Sequence, residues 1–265
     1  MKLIQRHGYI EFLRRNRERS IIKVVSGIRR CGKSTLFRLF KDELLAEGVK
    51  PEQIISINFE ELEYEPLREY HALYQYILNQ MQPNQMNYIF LDEIQHVDQF
   101  HRVVDSLFVK ENTDIYITGS NAYFMSSDIA TLLTGRYVEI QMLPLSFAEF
   151  YFSKYEEQQY SLIPAYEAYL RESSFPYTQQ LGGEDIQEYL RGLFNTLLLH
   201  DVVARLKIND VMILQDIVRY IMANVGSLLS PNKIAKSLVS AGRKIDNKTV
   251  ERYLQGLQDS LLLYK

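Results

Sequence analysis

One segment limits the possible folds of this chain more than any other. Residues 21–26 are an apolar, β-branched run, residues 27–32 interrupt it with two glycines, and residues 33–47 read as a helix closed by Gly48. The junction, Gly27-Ile28-Arg29-Arg30-Cys31-Gly32-Lys33-Ser34, fits the pattern G-x-x-x-x-G-K-[ST]. Glycines let such a loop curl so that backbone N–H groups point inward at β- and γ-phosphates. The helix that follows turns its positive end toward the same anion. Lys33 supplies a point charge near the β/γ oxygens, and the Ser34 hydroxyl is a magnesium ligand. Arg29, Arg30, Cys31 and Thr35 complete the candidate nucleotide contacts. The plain alternative is a glycine-rich turn with an exposed lysine.

A second element lies some sixty residues on. Tyr88-Ile89-Phe90-Leu91-Asp92-Glu93 is an apolar strand that delivers two carboxylates at its C-terminal end, where open α/β sheets bind ligands. Asp92 is placed to hold magnesium, mostly through the ion's water shell. Glu93 is placed to orient or deprotonate an attacking water; its bland alternative is helix capping. A fourth strand ends Thr118-Gly119-Ser120-Asn121. Ser120 first, then Asn121 and Thr118, are candidates to contact the γ-phosphate or the water, against a simple turn. Arg136 precedes the fifth strand. It can be an arginine finger reaching a neighbouring subunit's γ-phosphate, or a cation at a helix C-terminus.

Strands over residues 21–26, 54–59, 88–91, 114–118 and 137–142 alternate with helices over 33–47, 67–81, 100–109 and 127–133. That alternation argues an α/β fold with a parallel sheet covered on both faces. Beyond residue 146 strands give way to helices over 146–155, 163–172, 185–207, 211–224, 231–239 and 246–259, and residues 261–264 are apolar enough to open a strand.

Of the 265 residues 46% are apolar and 24% charged, which excludes general disorder. No run approaches 18 apolar residues, so no membrane span is expected, and residues 1–15 lack the apolar stretch of a secretory signal. The single cysteine, Cys31, excludes a disulfide framework and a cysteine-based zinc site, and a reducing cytoplasm fits it. Within the loop its thiol fills space; redox control is the alternative. The net charge of −3 hides an uneven spread: +8 over residues 1–50, −15 over 51–230 and +4 over 231–265. The chain as a whole is not a basic nucleic-acid binder, although its two ends are locally cationic. Arg14, Arg15, Arg17 and Arg19 read most simply as a solvated helix face.

In this order, the loop, the Asp92-Glu93 pair, the polar strand end and Gly135-Arg136 resemble the AAA+ superfamily. More closely, the chain resembles a group of prokaryotic predicted ATPases that pair an AAA-type domain with a C-terminal domain of unknown function. The matching stretches are residues 26–35, Leu91-Asp92-Glu93-Ile94-Gln95, residues 118–121, Thr134-Gly135-Arg136 and residues 143–150. The resemblance implies a P-loop NTPase sheet of five strands ordered 5-1-4-3-2 and strengthens the finger role of Arg136. It implies a P-loop core over residues 1–145 and a helical lid over 146–210, in which Arg171 and Arg191 are candidate sensors of nucleotide. The family often shows Gly-Gly-Phe-Pro where this chain has Ser173-Ser174-Phe175-Pro176. Adenine is expected near Arg6 or Tyr9, and the family layout implies that the chain continues beyond residue 265.

Residues 211–265 have the helix order of a winged helix, incomplete here, with residues 246–259 as recognition helix. Lys233, Lys236, Arg243, Lys244, Lys248 and Arg252 make residues 231–265 a candidate surface for DNA or for a protein partner. The expected function is thus an ATP-binding protein that uses Mg2+ and couples hydrolysis to a change of conformation. The alternative is an ATP-dependent switch that hydrolyses slowly or not at all and binds DNA or a protein through its winged helix. A small-molecule kinase is disfavoured by the Asp92-Glu93 pair and the trailing helices. No Asn-Lys-x-Asp segment is present to read guanine. If Arg136 acts in trans, the working form is a homo-oligomer.

Overall fold

The structure, a computed structural model, describes residues 4–120, 133, 135–155 and 160–264, with Ser120 and His200 described by their backbone alone. Two compact units divide it, Met1–Gln187 and Glu188–Lys265.

In the first unit five parallel strands stand in the order β2-β3-β4-β1-β5. They are β1 Ile22–Gly27, β2 Ile54–Asn58, β3 Asn87–Asp92, β4 Thr113–Ser120 and β5 Tyr137–Met142. The order expected from the family resemblance is the one observed. Every residue of β1 and β3 is buried, as a central strand covered on both faces requires. Helix α1 (His7–Asn16) precedes β1, α2 (Lys33–Ala46) leaves the loop after it, and α3 (Tyr70–Gln80) and α4 (Phe100–Phe108) flank β3. The helix expected over 127–133 and the candidate Asn121 lie outside the described residues, apart from Leu133. Helices α5 (Phe147–Tyr155) and α6 (Leu162–Glu172) complete this unit's run, and α7 (Gly183–Thr196) crosses into the next.

Aromatic rings fix α2 on the sheet. Phe90 of β3 and Tyr116 of β4 stack with centroids 4.7 Å apart, and Phe37 and Phe40 of α2 pack on them edgewise or tilted. On the other face Ile55, Ile57, Ile89, Leu91, Ile115 and Ile117 form the core with α3 and α4. The helix that carries Lys33 is therefore registered against the strand that carries Asp92.

The second unit holds a π-helical stretch, Leu197–Ala204, then α8 (Val211–Met222), α9 (Pro231–Ser240) and α10 (Asn247–Asp259). Val202, Leu214, Ile217, Ile234, Val250 and Leu257 make its core. Asp210 and Asp246 cap α8 and α10 by accepting from the backbone of Ile213 and Thr249.

Three expectations need correction. Residues 261–264 form no strand. Leu261 adopts φ +58°, and the Leu262 and Leu263 N–H groups return to the Leu257 carbonyl, so this apolar end closes α10. The long helix expected over 185–207 changes to π geometry at residue 197. Residues 67–69 do not belong to α3: Pro66 confines residues 62–68 to 3-10 turns, and Glu69 then caps α3 through the N–H groups of His71 and Ala72. Among the described residues no helix is long and apolar enough to cross a membrane.

Among the described residues an ion pair lies inside the sheet. Lys23 of β1 and Asp114 of β4 are wholly buried and bonded to each other. Asp114 also accepts from the Tyr116 hydroxyl at 2.7 Å and the Glu18 N–H at 2.8 Å, and Lys23 donates to the Arg19 carbonyl at 3.0 Å. Lys23→Met strands the Asp114 charge and is expected to cost about 3–5 kcal/mol. Adding Asp114→Asn recovers part of the loss, as urea unfolding of the three proteins will measure.

Candidate active site

β1 and β3 flank β4 and all three run parallel, so the loop at residues 27–32 and the pair Asp92-Glu93 meet at the C-terminal edge of the sheet. Two glycines allow the loop its path. A Cβ on Gly27 would stand 2.3 Å from the Met142 carbonyl oxygen of β5. Gly32 has φ +107°, a conformation open to glycine. Gly32 also begins α2 without a side-chain cap over its N-terminus, which leaves first-turn N–H groups open to an anion. Arg30 takes φ +66° at the exposed tip, and Arg29 lies 3.9 Å from Glu60. Cys31 is fully buried, and burial pushes its thiol up, which suits a space-filling neutral group.

Lys33 and Glu93 are the centre of the site. Their side chains are only 3% and 8% exposed, and Lys33 Nζ lies 3.1 Å from Glu93 Oε1. Lys33 also donates to the Gly27 carbonyl at 3.2 Å. Burial would push the Glu93 carboxyl up, but the Lys33 charge, the Gln95 amide and the Arg29 charge outweigh it and hold it below its ordinary value. Burial likewise opposes the Lys33 ammonium, and Glu93 outweighs it, raising the lysine. Both are ionised at neutral pH.

Asp92 is different. Burial raises its carboxyl, against hydrogen bonds from the Ser34 and Thr118 hydroxyls. Thr118 of β4 donates to Asp92 Oδ1 and accepts the Glu93 N–H at 2.9 Å. Of the three candidates at the end of β4, Thr118 is thus committed to orienting the acidic pair. Ser120 pairs through its backbone with Gly27. The Glu93 backbone is left-handed, φ +53° and ψ +49°, which costs a non-glycine residue on the order of 1 kcal/mol. Ser34 and Asp92 bring two oxygen ligands together. Among the described residues no three His, Cys, Asp or Glu groups converge as a metal site. A magnesium ion held by Ser34 and Asp92 would take its remaining shell from phosphate and water, its usual habit beside a triphosphate.

A cavity of about 510 Å³ opens beside Gly32 and Thr35, lined also by Arg6, Met142, Pro176 and Gln179. Arg6 is buried at its edge. It donates to Glu149 Oε1 at 2.6 Å, to the Leu143 carbonyl at 2.8 Å and to the Cys31 carbonyl at 3.3 Å. Its guanidinium therefore braces the loop against the turn after β5 and stacks over Tyr9, 4.6 Å from the ring centroid. Sequence reasoning linked Arg6 to the base and missed this brace.

Arg136 is at the opposite edge. Its carbonyl accepts the Ile22 N–H at the start of β1, a strand's length of roughly 20 Å from Gly27. Its side chain lies 3.6 Å from Asp105 and over the Phe108 ring. It cannot reach this chain's own loop. Arg171 and Arg191 are both exposed, on α6 and α7.

A family model described as an AAA domain matches residues 19–151, the stretch that holds the sheet and the site. The chain belongs to the AAA domain family. A second model, described as a domain of unknown function, matches residues 163–265. An uncharacterized protein of Haemophilus influenzae is 38% identical over 266 residues, which cover 99% of this chain and 66% of that protein. One from Methanocaldococcus jannaschii is 33% identical over 92% of this chain and 56% of its own length. The chain thus spans about two thirds and just over half of these curated relatives. A Walker-type ATPase of Pyrococcus abyssi has a similar fold, with a TM-score of 0.65 and 18% identity over 97% of this chain and 89% of that one. The AAA assignment and this fold make the chain a P-loop ATPase-like protein with a C-terminal domain of unknown function.

Proposed function

We propose that this AAA-family protein binds ATP with Mg2+ at the loop over residues 27–35 and hydrolyses it, with Glu93 as general base. The observation that carries this reading is the buried Lys33–Glu93 pair at the mouth of the loop. It is an ammonium that a triphosphate would attract, held against a carboxylate that a water would need. The phosphates lie against the N–H groups of residues 27–35, with Lys33 Nζ on the β/γ oxygens. Ser34 and Asp92 hold the magnesium ion, which when bound neutralises charge on the phosphates. Glu93 takes the proton of the attacking water. Ser120, at the end of β4, is assigned the contact with the γ-phosphate or the water. The nucleoside occupies the cavity beside Thr35, against Arg6 and Met142. Arg136 completes a neighbouring copy's site in a homo-oligomer, since it stands at the far edge from its own loop. The core over 1–145, lid over 146–210 and winged-helix-like part over 211–265 remain the proposed functional divisions.

Glu93→Gln is expected to lower phosphate release from MgATP by at least about 100-fold, while nucleotide affinity persists. Turnover at the wild-type rate in that variant would remove Glu93 from the chemistry.

A second reading, a switch that hydrolyses slowly and binds a polyanion, is favoured by one observation. Lys233 and Lys236 of α9, Lys244 of the turn, and Lys248 and Arg252 of α10 are all exposed on one helix-turn-helix. If this face grips DNA phosphates, binding of a labelled duplex weakens steeply with salt, and Lys244→Glu/Lys248→Glu abolishes it. Salt-independent or absent binding would leave a protein partner for residues 231–265.

A further inference from the structure

The carboxylate of Glu93 has two oxygens, and each has a different partner. Oε1 faces Lys33 Nζ at 3.1 Å, and Oε2 accepts from Gln95 Nε2 at 2.5 Å. The Gln95 amide must present nitrogen here, because an ionised carboxylate accepts only. The other end of the same amide, Gln95 Oε1, is buried with no hydrogen-bond partner among the described residues. A buried carbonyl left unmatched loses the hydrogen bonds that water would give it. An amide placed for its own satisfaction would use both ends, so its position is set by Glu93.

The backbone points the same way. The chain reverses through the left-handed residue Glu93, anchored by its N–H on Thr118, and enters a single 3-10 turn, Ile94–His96. Ile94 is fully buried beside the core of the sheet, which fixes the turn. Gln95 thereby comes back over the residue two places before it. An orientation made within so short a loop resists change when a ligand enters.

We propose that Gln95 is the positioning residue for Glu93, holding Oε2 so that Oε1 is the oxygen given up by Lys33 and offered to the attacking water. This rests on the reading of Glu93 as the general base. The sequence of partners follows from charge. A triphosphate in the loop competes for the Lys33 ammonium, which is paired with Glu93 Oε1. Gln95 is neutral and has no comparable attraction to phosphate, so its bond to Oε2 persists. In the step itself the water oxygen bonds to the γ-phosphorus, its proton passes to Glu93 Oε1, and the bond from that phosphorus to the β,γ-bridging oxygen breaks, leaving its electron pair on ADP. Gln95 touches neither water nor phosphate. It sets the angle of the carboxylate, and a misplacement of about 1 Å at such a centre costs up to about 100-fold in rate.

The test compares Gln95→Leu, which fills the same space without a donor, with Gln95→His, which retains an N–H. In Gln95→Leu, kcat for MgATP is expected to fall roughly 10- to 100-fold with the Kd for a non-hydrolysable ATP analogue unchanged. Gln95→His is expected to regain part of kcat. Equal kcat in wild type and Gln95→Leu overturns the proposal, as does a loss confined to Kd. A second readout needs no turnover: the side-chain amide resonances of Gln95, followed by NMR in the full chain. They are expected to shift in Glu93→Gln and to stay in place when the magnesium complex of the analogue is added. Resonances indifferent to Glu93→Gln overturn the proposal even if the wild type hydrolyses nothing. Resonances that respond, in a protein without turnover, support the contact while the hydrolase reading itself fails.

Discussion

A lysine ammonium and a glutamate carboxylate are buried together at the end of the central strands, and neither could stay ionised there alone. Removing either from water costs several kcal/mol, and only the mutual attraction and the surrounding dipoles offset it. Lys33 and Glu93 meet that condition because three constraints bring them to the same place: the curl of the loop at Gly27 and Gly32, the edgewise and tilted packing of Phe37 and Phe40 on the sheet, and the left-handed turn at Glu93. The arrangement holds a charge pair that, on the proposed reading, a polyphosphate separates. Much of the first unit serves to hold it in place, including the Arg6 brace and the Thr118 hydroxyl that ties Asp92 to the Glu93 backbone.

The alternation of strands and helices and the places where the strands end were legible in the sequence for physical reasons, whereas the order of the strands was implied by the family resemblance. A parallel strand buried on both faces is mostly apolar: residues 88–91 are wholly so, and residues 21–26 are so apart from Ser26 and Lys23, whose charge is matched by Asp114. A loop that approaches phosphate must be glycine-rich, and a site at a strand end must begin where the apolar run stops, as it does at Asp92. What composition could not convey is which polar group each side chain would find. Thr118 ranked behind Ser120 and Asn121 from its place in the run, yet its hydroxyl bridges the acidic pair. Gln95 stood in the stretch that resembles the family and carried no role, because a contact made by a reversal of the chain leaves no periodic signal.

The remaining differences have the same origin. Residues 261–264 are apolar enough for a strand, but an edge needs a partner, and the Leu257 carbonyl captured two of their N–H groups first. Helix propensity ran on through residues 197–204 without any mark of π geometry. Ser173 is instructive in the other direction. It stands where the family often has glycine, and its φ of +74° is the conformation that glycine adopts freely. The turn is held from outside, by the Leu145 N–H on the Ser174 carbonyl at 2.7 Å.

The most direct test is a crystal structure of this chain with magnesium and a non-hydrolysable ATP analogue. Lys33 Nζ is expected to have left Glu93 for the β/γ-phosphate oxygens, with Asp92 and Ser34 at the magnesium ion and Glu93 still bonded to Gln95. A bound analogue with the Lys33–Glu93 pair intact, or an analogue seated away from residues 27–35, would contradict the account.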